Sequence, residues 1–120
     1  MTETPNKQYY DLEERTLRFA KNIRVFVKNV PKNLTNFDDL KQLVRSSGST
    51  GANYIEANES LSKKDFLMRI KICRKEAKES SYWLNFIEIR DANLIKTKQE
   101  LIQETTELKK IFSKIIVNCK

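Results

Sequence analysis

The chain has 120 residues, of which only two are glycine and two are proline, and it contains no histidine. This length suits one domain with a single core, the scarcity of helix breakers favours long helices, and the lack of histidine removes the commonest general base and transition-metal ligand. With 23 Lys and Arg against 16 Asp and Glu, the formal net charge of +7 favours an anionic partner, although many proteins without a nucleic-acid role carry as much.

The first predicted helix covers residues 11–29. Apolar residues recur at helical spacing from Leu12 to Val30, and Pro31 ends the pattern because the residue before a proline is disfavoured in the α region. The opposite face is basic and carries Arg18, Lys21, Arg24 and Lys28.

The second predicted helix covers residues 36–59, with Thr35 and Asp38 as a capping pair at its start. Its middle contains both glycines, yet the apolar residues before and after them, including Phe37 and Ile55, fall on one helical arc. Glycine inside a helix costs about 1 kcal/mol relative to alanine, so two in one turn require a compensating contact. We expect a neighbouring helix to approach closely at small residues, namely Ser47, Gly48, Thr50 and Gly51. The alternative is a helix–turn–helix break at this point.

The third predicted helix covers residues 63–89, with Ser62 as its cap and Asp65 in the first turn. Its core positions alternate in steps of four and three, which is a heptad pattern. A basic stripe runs along the same helix and comprises Lys64, Lys71, Lys75 and Lys78, with Lys63 and Arg74 beside it. Tyr82 continues this stripe and is placed to stack on a base.

The fourth predicted helix covers about residues 95–118. Its first turn begins near Leu94 or, if Thr97 and Glu100 form a capping box, at Lys98. The connections between the four helices are short, which forces neighbours to run antiparallel. The sequence therefore predicts an all-α protein, an antiparallel up-down-up-down four-helix bundle, with residues 1–120 forming one domain.

Helix three carries more apolar surface than one bundle face needs. A second stripe lies about 100° or more from its core positions and consists of Met68, Ile72, Trp83 and Phe86. An exposed Trp with aliphatic neighbours is typical of an interface, so these residues predict homo-oligomerisation. The alternative is a wide flank of the core that neighbouring helices cover.

No constellation in the sequence indicates catalysis. The glycine run lacks the pattern of a phosphate-binding loop, and a triad or a carboxylate-bridged di-iron centre would need histidine. Cys73 and Cys119 have no CxxC spacing, and no segment is apolar enough for a signal peptide or a membrane span. We therefore expect a cytoplasmic protein that is not an enzyme, with no metal, no cofactor and no membrane partner.

The basic faces of helices one and three can contact a phosphate backbone by charge alone, without reading bases. The alternative is a solvated surface whose cations pair along the helix, for example Lys75 with Glu79.

Several motifs resemble those of one known family. They are YDL at 10–12, TLxFA at 16–20, GANYIEA at 51–57, LSKKDF at 61–66, RIKxxRKEAKE at 69–79 and WL at 83–84. The chain resembles the bacterial four-helix-bundle proteins encoded in intervening sequences of 23S ribosomal RNA genes, over about residues 9–90. This resemblance implies a four-helix bundle that assembles into a ring-shaped homo-oligomer, a pentamer.

The architecture is also similar to that of the basic accessory proteins of diversity-generating retroelements, which associate with nucleic acid and a reverse transcriptase. The leading hypothesis is thus a non-catalytic oligomer that binds RNA or DNA, alone or with a nucleic-acid-processing protein. The second hypothesis is a scaffold that docks a protein partner through Trp83 and its neighbours, with no direct nucleic-acid role.

Overall fold

The structure is a computed structural model that describes residues 11–119. Within this range the chain forms four α-helices and no strand: α1 (Leu12–Asn29), α2 (Phe37–Asn58), α3 (Lys63–Phe86) and α4 (Ala92–Asn118). The prediction of an all-α fold with four helices is confirmed. None of these helices has an apolar stretch that could cross a membrane.

Each helix buries the side chains that its periodicity places on one face. Leu12, Phe19, Ile23 and Phe26 of α1 are almost completely buried, and Tyr54 of α2 packs against Phe112 of α4 with ring centroids 6.3 Å apart. The heptad positions of α3 and the core positions of α4 are likewise buried, namely Ile70, Cys73, Ala77, Ser80, Leu84, Leu101, Thr105, Leu108, Phe112 and Ile115. These residues form one continuous hydrophobic core.

The helices occupy the four corners of the molecule. The backbone of α2 lies beside those of α1 and α3, and the backbone of α4 lies beside those of α3 and α1, whereas no Cα atom of α1 lies within 8 Å of one in α3, and none of α2 within 8 Å of one in α4, within residues 11–119. α1 and α3 therefore lie on one diagonal, and their solvent-exposed faces point away from each other.

Two helix ends differ from their predicted positions. α3 ends at Phe86 instead of near Ile89, because Ile87 has extended backbone dihedral angles while its side chain remains buried in the core. α4 begins at Ala92 because Asp91 caps it, with the carboxylate accepting a hydrogen bond from the backbone N–H of Leu94 at 3.0 Å.

The caps of α2 and α3 also differ from each other. Ser62 caps α3 as predicted, since its Oγ accepts a hydrogen bond from the N–H of Asp65 at 3.1 Å. The predicted capping pair of Thr35 and Asp38 is wrong: α2 has Asn36 at its N-cap with no side-chain cap, and the Thr35 hydroxyl donates to Asn33.

Asn36 is completely buried and joins the two loops at one end of the bundle. Its Nδ2 donates to the carbonyl oxygens of Pro31 and Glu88, both at 3.2 Å, and its Oδ1 accepts from the N–H of Glu88, also at 3.2 Å. Because buried backbone groups must be hydrogen-bonded, this one side chain serves both the α1–α2 and the α3–α4 connections.

Ion pairs at the margins of the core tie neighbouring helices together. Arg15 of α1 forms a bidentate pair with Glu104 of α4, at 2.7 and 2.9 Å. The hydrogen bonds and charge of Glu104 raise the pKa of the Arg15 guanidinium above its ordinary value, against the opposing effect of burial. Arg45 of α2 bridges the buried Glu76 at 3.3 Å and Glu79 at 2.5 Å, both in α3.

Candidate nucleic-acid interface

The predicted basic residues of α1 all lie on its exposed surface. Arg18 pairs with Glu14 in the preceding turn at 3.3 Å. Arg24 extends over α2, with its guanidinium 3.7 Å from the position that a Cβ would occupy at Gly48. Lys21 and Lys28 have no carboxylate within 4.0 Å among residues 11–119. Within the described residues this face therefore offers two unpaired lysines and one exposed arginine whose guanidinium lies near Gly48 of α2.

The basic stripe of α3 is less neutralised. Lys64, Lys71 and Lys78 are exposed, and no carboxylate of the described chain lies within 4.0 Å of their amino groups. Lys75 approaches Glu76 at 3.8 Å and does not pair with Glu79, because Arg45 engages that carboxylate instead. Four lysines thus follow one exposed stripe of α3 with little intramolecular compensation.

Arg74 differs from the lysines of the stripe because it points along the packing boundary with α4. It is half-buried, and its Nη1 donates to Ser113 Oγ at 3.3 Å. Near the loop, Lys98 Nζ donates to the carbonyl oxygen of Ile87 at 2.9 Å. These two contacts join the middle of α3 to a late turn of α4, and the residue after α3 to an early turn of α4.

The register set by the Arg74–Ser113 hydrogen bond brings in a cation that the sequence analysis missed. Lys109 lies one turn before Ser113 in α4, and Lys78 lies one turn after Arg74 in α3, so the two lysines share a level along the α3–α4 boundary. Lys109 is half-buried at this boundary. The helical period of α4 is the sequence signal that could have identified Lys109. One row of residues recurs at helical spacing beside the core positions, namely Ile102, Thr106, Lys109, Ser113 and Ile116.

The two predicted basic faces do not combine into one surface of the protomer. α1 and α3 lie on one diagonal of the bundle, so the cations of α1 and those of α3 face opposite directions. A nucleic-acid strand that follows the basic face of α3 on one protomer therefore does not reach the basic face of α1 on the same protomer.

The small residues of α2 lie at its packing surfaces. Ser47 and Thr50 are completely buried, while Gly48 and Gly51 are half-buried and contact Arg24 and Thr16 of α1. Ser46 is buried as well and shares a hydrogen bond of 2.8 Å with Ser80 of α3. The helix is continuous through this segment, and neither glycine has a positive φ, so the alternative of a helix break is excluded.

Two of the predicted interface residues, Trp83 and Phe86, belong to an aromatic cluster at the end of α3. Tyr82 packs edge-on against Trp83 and Phe86, with centroids 5.1 and 4.9 Å apart. Phe86 and Met68 are about half exposed, whereas Ile72 and Trp83 are half-buried and Trp83 packs on the core. The buried Trp83 Nε1 has no hydrogen-bond partner among the described residues.

The described residues contain no group of three or more Cys, Asp and Glu side chains placed to hold a metal ion. Cys73 lies in the core, where burial raises the pKa of its thiol to about 12, so it is protonated at neutral pH. Cys119 lies at the end of α4 and is half-buried.

The general class is an all-α protein of four helices, and comparison with known proteins identifies the family. The model of the 23S rRNA-intervening sequence protein family matches residues 9–114. The chain belongs to this family, which confirms the resemblance noted from its motifs; of those motifs, Tyr10 lies outside the described residues.

A solved structure supports the same assignment. The chain is similar to a protein of unknown function from the S23 ribosomal protein family of Bacteroides thetaiotaomicron, with 31% sequence identity and a TM-score of 0.76. The match covers 87% of this chain and 96% of the other. No curated protein matches the sequence.

Proposed function

We propose that this protein is a non-catalytic, oligomeric nucleic-acid-binding protein that contacts the phosphate backbone of RNA or DNA through its basic helix faces. The observation that carries the proposal is the stripe of α3, where Lys64, Lys71 and Lys78 are exposed and unpaired within residues 11–119. A lysine that already pairs with a carboxylate adds little binding free energy when it meets a phosphate. An unpaired lysine neutralises the phosphate and releases its counterion, which favours binding. The face of α1 contributes a second, weaker contact surface.

Binding to labelled RNA and DNA at two salt concentrations tests this proposal. We expect affinity to fall as salt rises, with a slope that reports the number of phosphates neutralised. Replacing Lys71, Lys75 and Lys78 by Gln should reduce both the affinity and the slope. Absence of binding at low salt, or binding without a salt dependence, contradicts the proposal.

We propose further that the four helices form an antiparallel up-down-up-down bundle. In this proposal the protein assembles into a ring-shaped pentamer and is located in the cytoplasm. Contacts between the end of α2 and the starts of both its neighbours support the topology: Asn58 donates to Glu13 of α1 at 2.8 Å, and Arg69 of α3 donates to Asn53 at 3.0 Å. The exposed Met68 and Phe86 support the assembly, because large apolar side chains at one surface favour contact with another protomer.

Light scattering at micromolar concentration tests the assembly. Replacing Met68 and Phe86 by Ser should reduce the measured mass, while the same change at the exposed Leu34, in the loop before α2, should not. A wild-type monomer contradicts the oligomeric proposal.

The aromatic cluster favours a second candidate function, a scaffold that docks a protein partner, such as a nucleic-acid-processing protein. Tyr82 and Phe86 are 56% and 48% exposed, and clustered aromatic residues are enriched at interfaces. Co-purification of one specific protein that persists when the lysines of α3 are replaced, but is lost when Phe86 is replaced, would favour this candidate.

A further inference from the structure

Cations and hydroxyl groups from both helices lie along the boundary between α3 and α4. On the α3 side lie Arg74, Lys78 and Ser81, and on the α4 side lie Thr106, Lys109 and Ser113; we refer to these six residues as the α3–α4 groove. All except Lys78 are half-buried, as expected for side chains at the margin of a helix–helix contact. The Arg74–Ser113 hydrogen bond crosses the groove at its centre.

Within residues 11–119 no carboxylate belongs to the α3–α4 groove, and the acidic residues nearest to it in sequence are engaged elsewhere. Glu79 bonds to Arg45 on the α2 side of α3. Glu107 pairs with Lys110 at 3.7 Å and accepts a hydrogen bond from Gln103 at 2.8 Å, on the outer face of α4. Arg74, Lys78 and Lys109 therefore have no anionic partner within the described chain. Cations and hydroxyl groups in this arrangement match the groups that contact phosphate oxygens.

Tyr82 lies one turn after Lys78 on the same edge of α3. Its ring is fixed by edge-on contacts to Trp83 and Phe86, with interplanar angles of 78° and 77°, yet the residue remains 56% exposed. An exposed aromatic ring beside a row of cations is a stacking platform for a nucleic-acid base. Bases within a duplex are already stacked and paired, so such a platform serves unpaired nucleotides.

We propose that the α3–α4 groove binds a single strand of nucleic acid, with its phosphates at Arg74, Lys78 and Lys109 and one base on Tyr82. This inference rests on the proposed function and narrows it to one face, one strand and one additional residue, Lys109. The opposite face, on α1, is not required for this contact.

The test uses fluorescence anisotropy with a short labelled oligonucleotide, offered as a single strand and as a duplex of the same sequence. Lys109→Gln should weaken binding of the single strand several-fold and lower the slope of log affinity against log salt by about 0.7, the loss of one phosphate contact. Lys114→Gln is the matched control, because Lys114 is exposed on the side of α4 that faces away from α3. It should leave affinity at the wild-type value, and circular dichroism should show both variants to be equally helical.

A second pair of variants tests the stacking contact. Tyr82→Ala should weaken binding of the single strand by at least about fivefold with an unchanged salt slope, while Tyr82→Phe should retain the wild-type affinity. Loss of affinity in both variants, or in neither, overturns the assignment of Tyr82 as a stacking platform.

The outcomes separate this inference from the proposal on which it rests. If the wild-type protein binds neither strand nor duplex at low salt, the nucleic-acid function itself fails. If it binds but Lys109→Gln behaves like Lys114→Gln, while Lys21→Gln or Lys28→Gln weakens binding, the function stands on the α1 face and the groove is wrong. Duplex binding as tight as that of the single strand overturns the preference for unpaired nucleotides.

Discussion

Thr16 Oγ1 in α1 lies only 2.8 Å from the point where a Cβ would sit at Gly51 in α2, and Thr16 Cβ lies 3.1 Å from it. The Thr16 hydroxyl is also anchored, since it donates to the carbonyl oxygens of Leu12 and Glu13 at 2.8 and 3.0 Å. A side chain at position 51 would therefore press on a buried group that is held in place. The two helices approach this closely because residue 51 is glycine.

We expect Gly51→Ala to destabilise the protein by about 1–3 kcal/mol, because overpacking exceeds the gain of up to about 1 kcal/mol in helix propensity. Gly48→Ala is the control, since its nearest neighbour is the flexible end of Arg24 at 3.7 Å, and it should be neutral or stabilising. Chemical denaturation measures both. Adding Thr16→Ala should remove part of the penalty of Gly51→Ala, and strictly additive effects would contradict the clash.

Asn36→Ala should cost at least about 2 kcal/mol, because it removes the partners of Glu88 N–H, Glu88 C=O and Pro31 C=O at a fully buried position. Asn29→Ala is the matched control: Asn29 is exposed and bonds only within α1, so its change should stay within about 0.5 kcal/mol. Equal unfolding free energies for the two variants would show that the Asn36 bridge contributes nothing.

Arg45→Ala should destabilise the protein by about 1–3 kcal/mol, because it leaves the buried carboxylate of Glu76 with Lys75 at 3.8 Å as its remaining cation. The same substitution should cost less in a Glu76→Gln background, where no buried charge is left behind. Urea denaturation of the four variants gives the coupling energy directly. A coupling energy of zero would mean that solvent, and not Arg45, compensates Glu76.

Cys73 and Cys119 should differ sharply toward a thiol-alkylating reagent. Burial raises the pKa of the Cys73 thiol to about 12, so at pH 8 its reactive thiolate is scarce in the native state and it should be alkylated only after unfolding. Mass spectrometry after timed exposure should find Cys119 modified first. Rapid modification of Cys73 in the native protein would contradict its placement in the core.

The same shift has a consequence for stability. The ordinary pKa of this thiol is 9.0, and below that pH Cys73 is mostly protonated in both the folded and the unfolded state. Between pH 9 and about 12 the Cys73 thiol ionises in the unfolded chain but not in the folded one. The free energy of unfolding should therefore fall as pH rises through this window, and Cys73→Ala should flatten that fall relative to wild type. Parallel pH profiles for the two proteins would exclude a role for this thiol.

The helical periods of the sequence predict most of the core, because four long segments each carry one apolar face. They fail where a buried residue is not helical, or where a helical residue on the apolar face is not buried. Ile87 continues the apolar pattern of α3 and is buried, but its backbone is extended, so periodicity places the helix end too late. Phe37 and Ile55 fit the apolar arc of α2 and are nevertheless about half exposed, since no neighbouring helix covers that edge.

The basic surface shows a similar division. Its residues on α1 and α3 can be found on a helical wheel, but their diagonal placement depends on how the helices pack. The helical period of α4 places Lys109 at the edge of its core face, but only the register set by the Arg74–Ser113 hydrogen bond assigns it to the same level as Lys78. Likewise, Glu79 of α3 pairs with Arg45 of α2 and not with Lys75 of its own helix. Spacing rules within one helix cannot predict a pair between two helices.

Asn36 also constrains the order in which the molecule can be completed during synthesis. Its hydrogen bonds to Glu88 span 52 positions of the chain, so the first two helices can emerge from the ribosome and associate well before residue 88 is available. Until then, part of the Asn36 amide has only water as a partner. The end of the bundle near Asn36 therefore cannot close until residue 88 has emerged, and nascent chains stopped between α2 and residue 88 should remain open to protease at the α1–α2 loop.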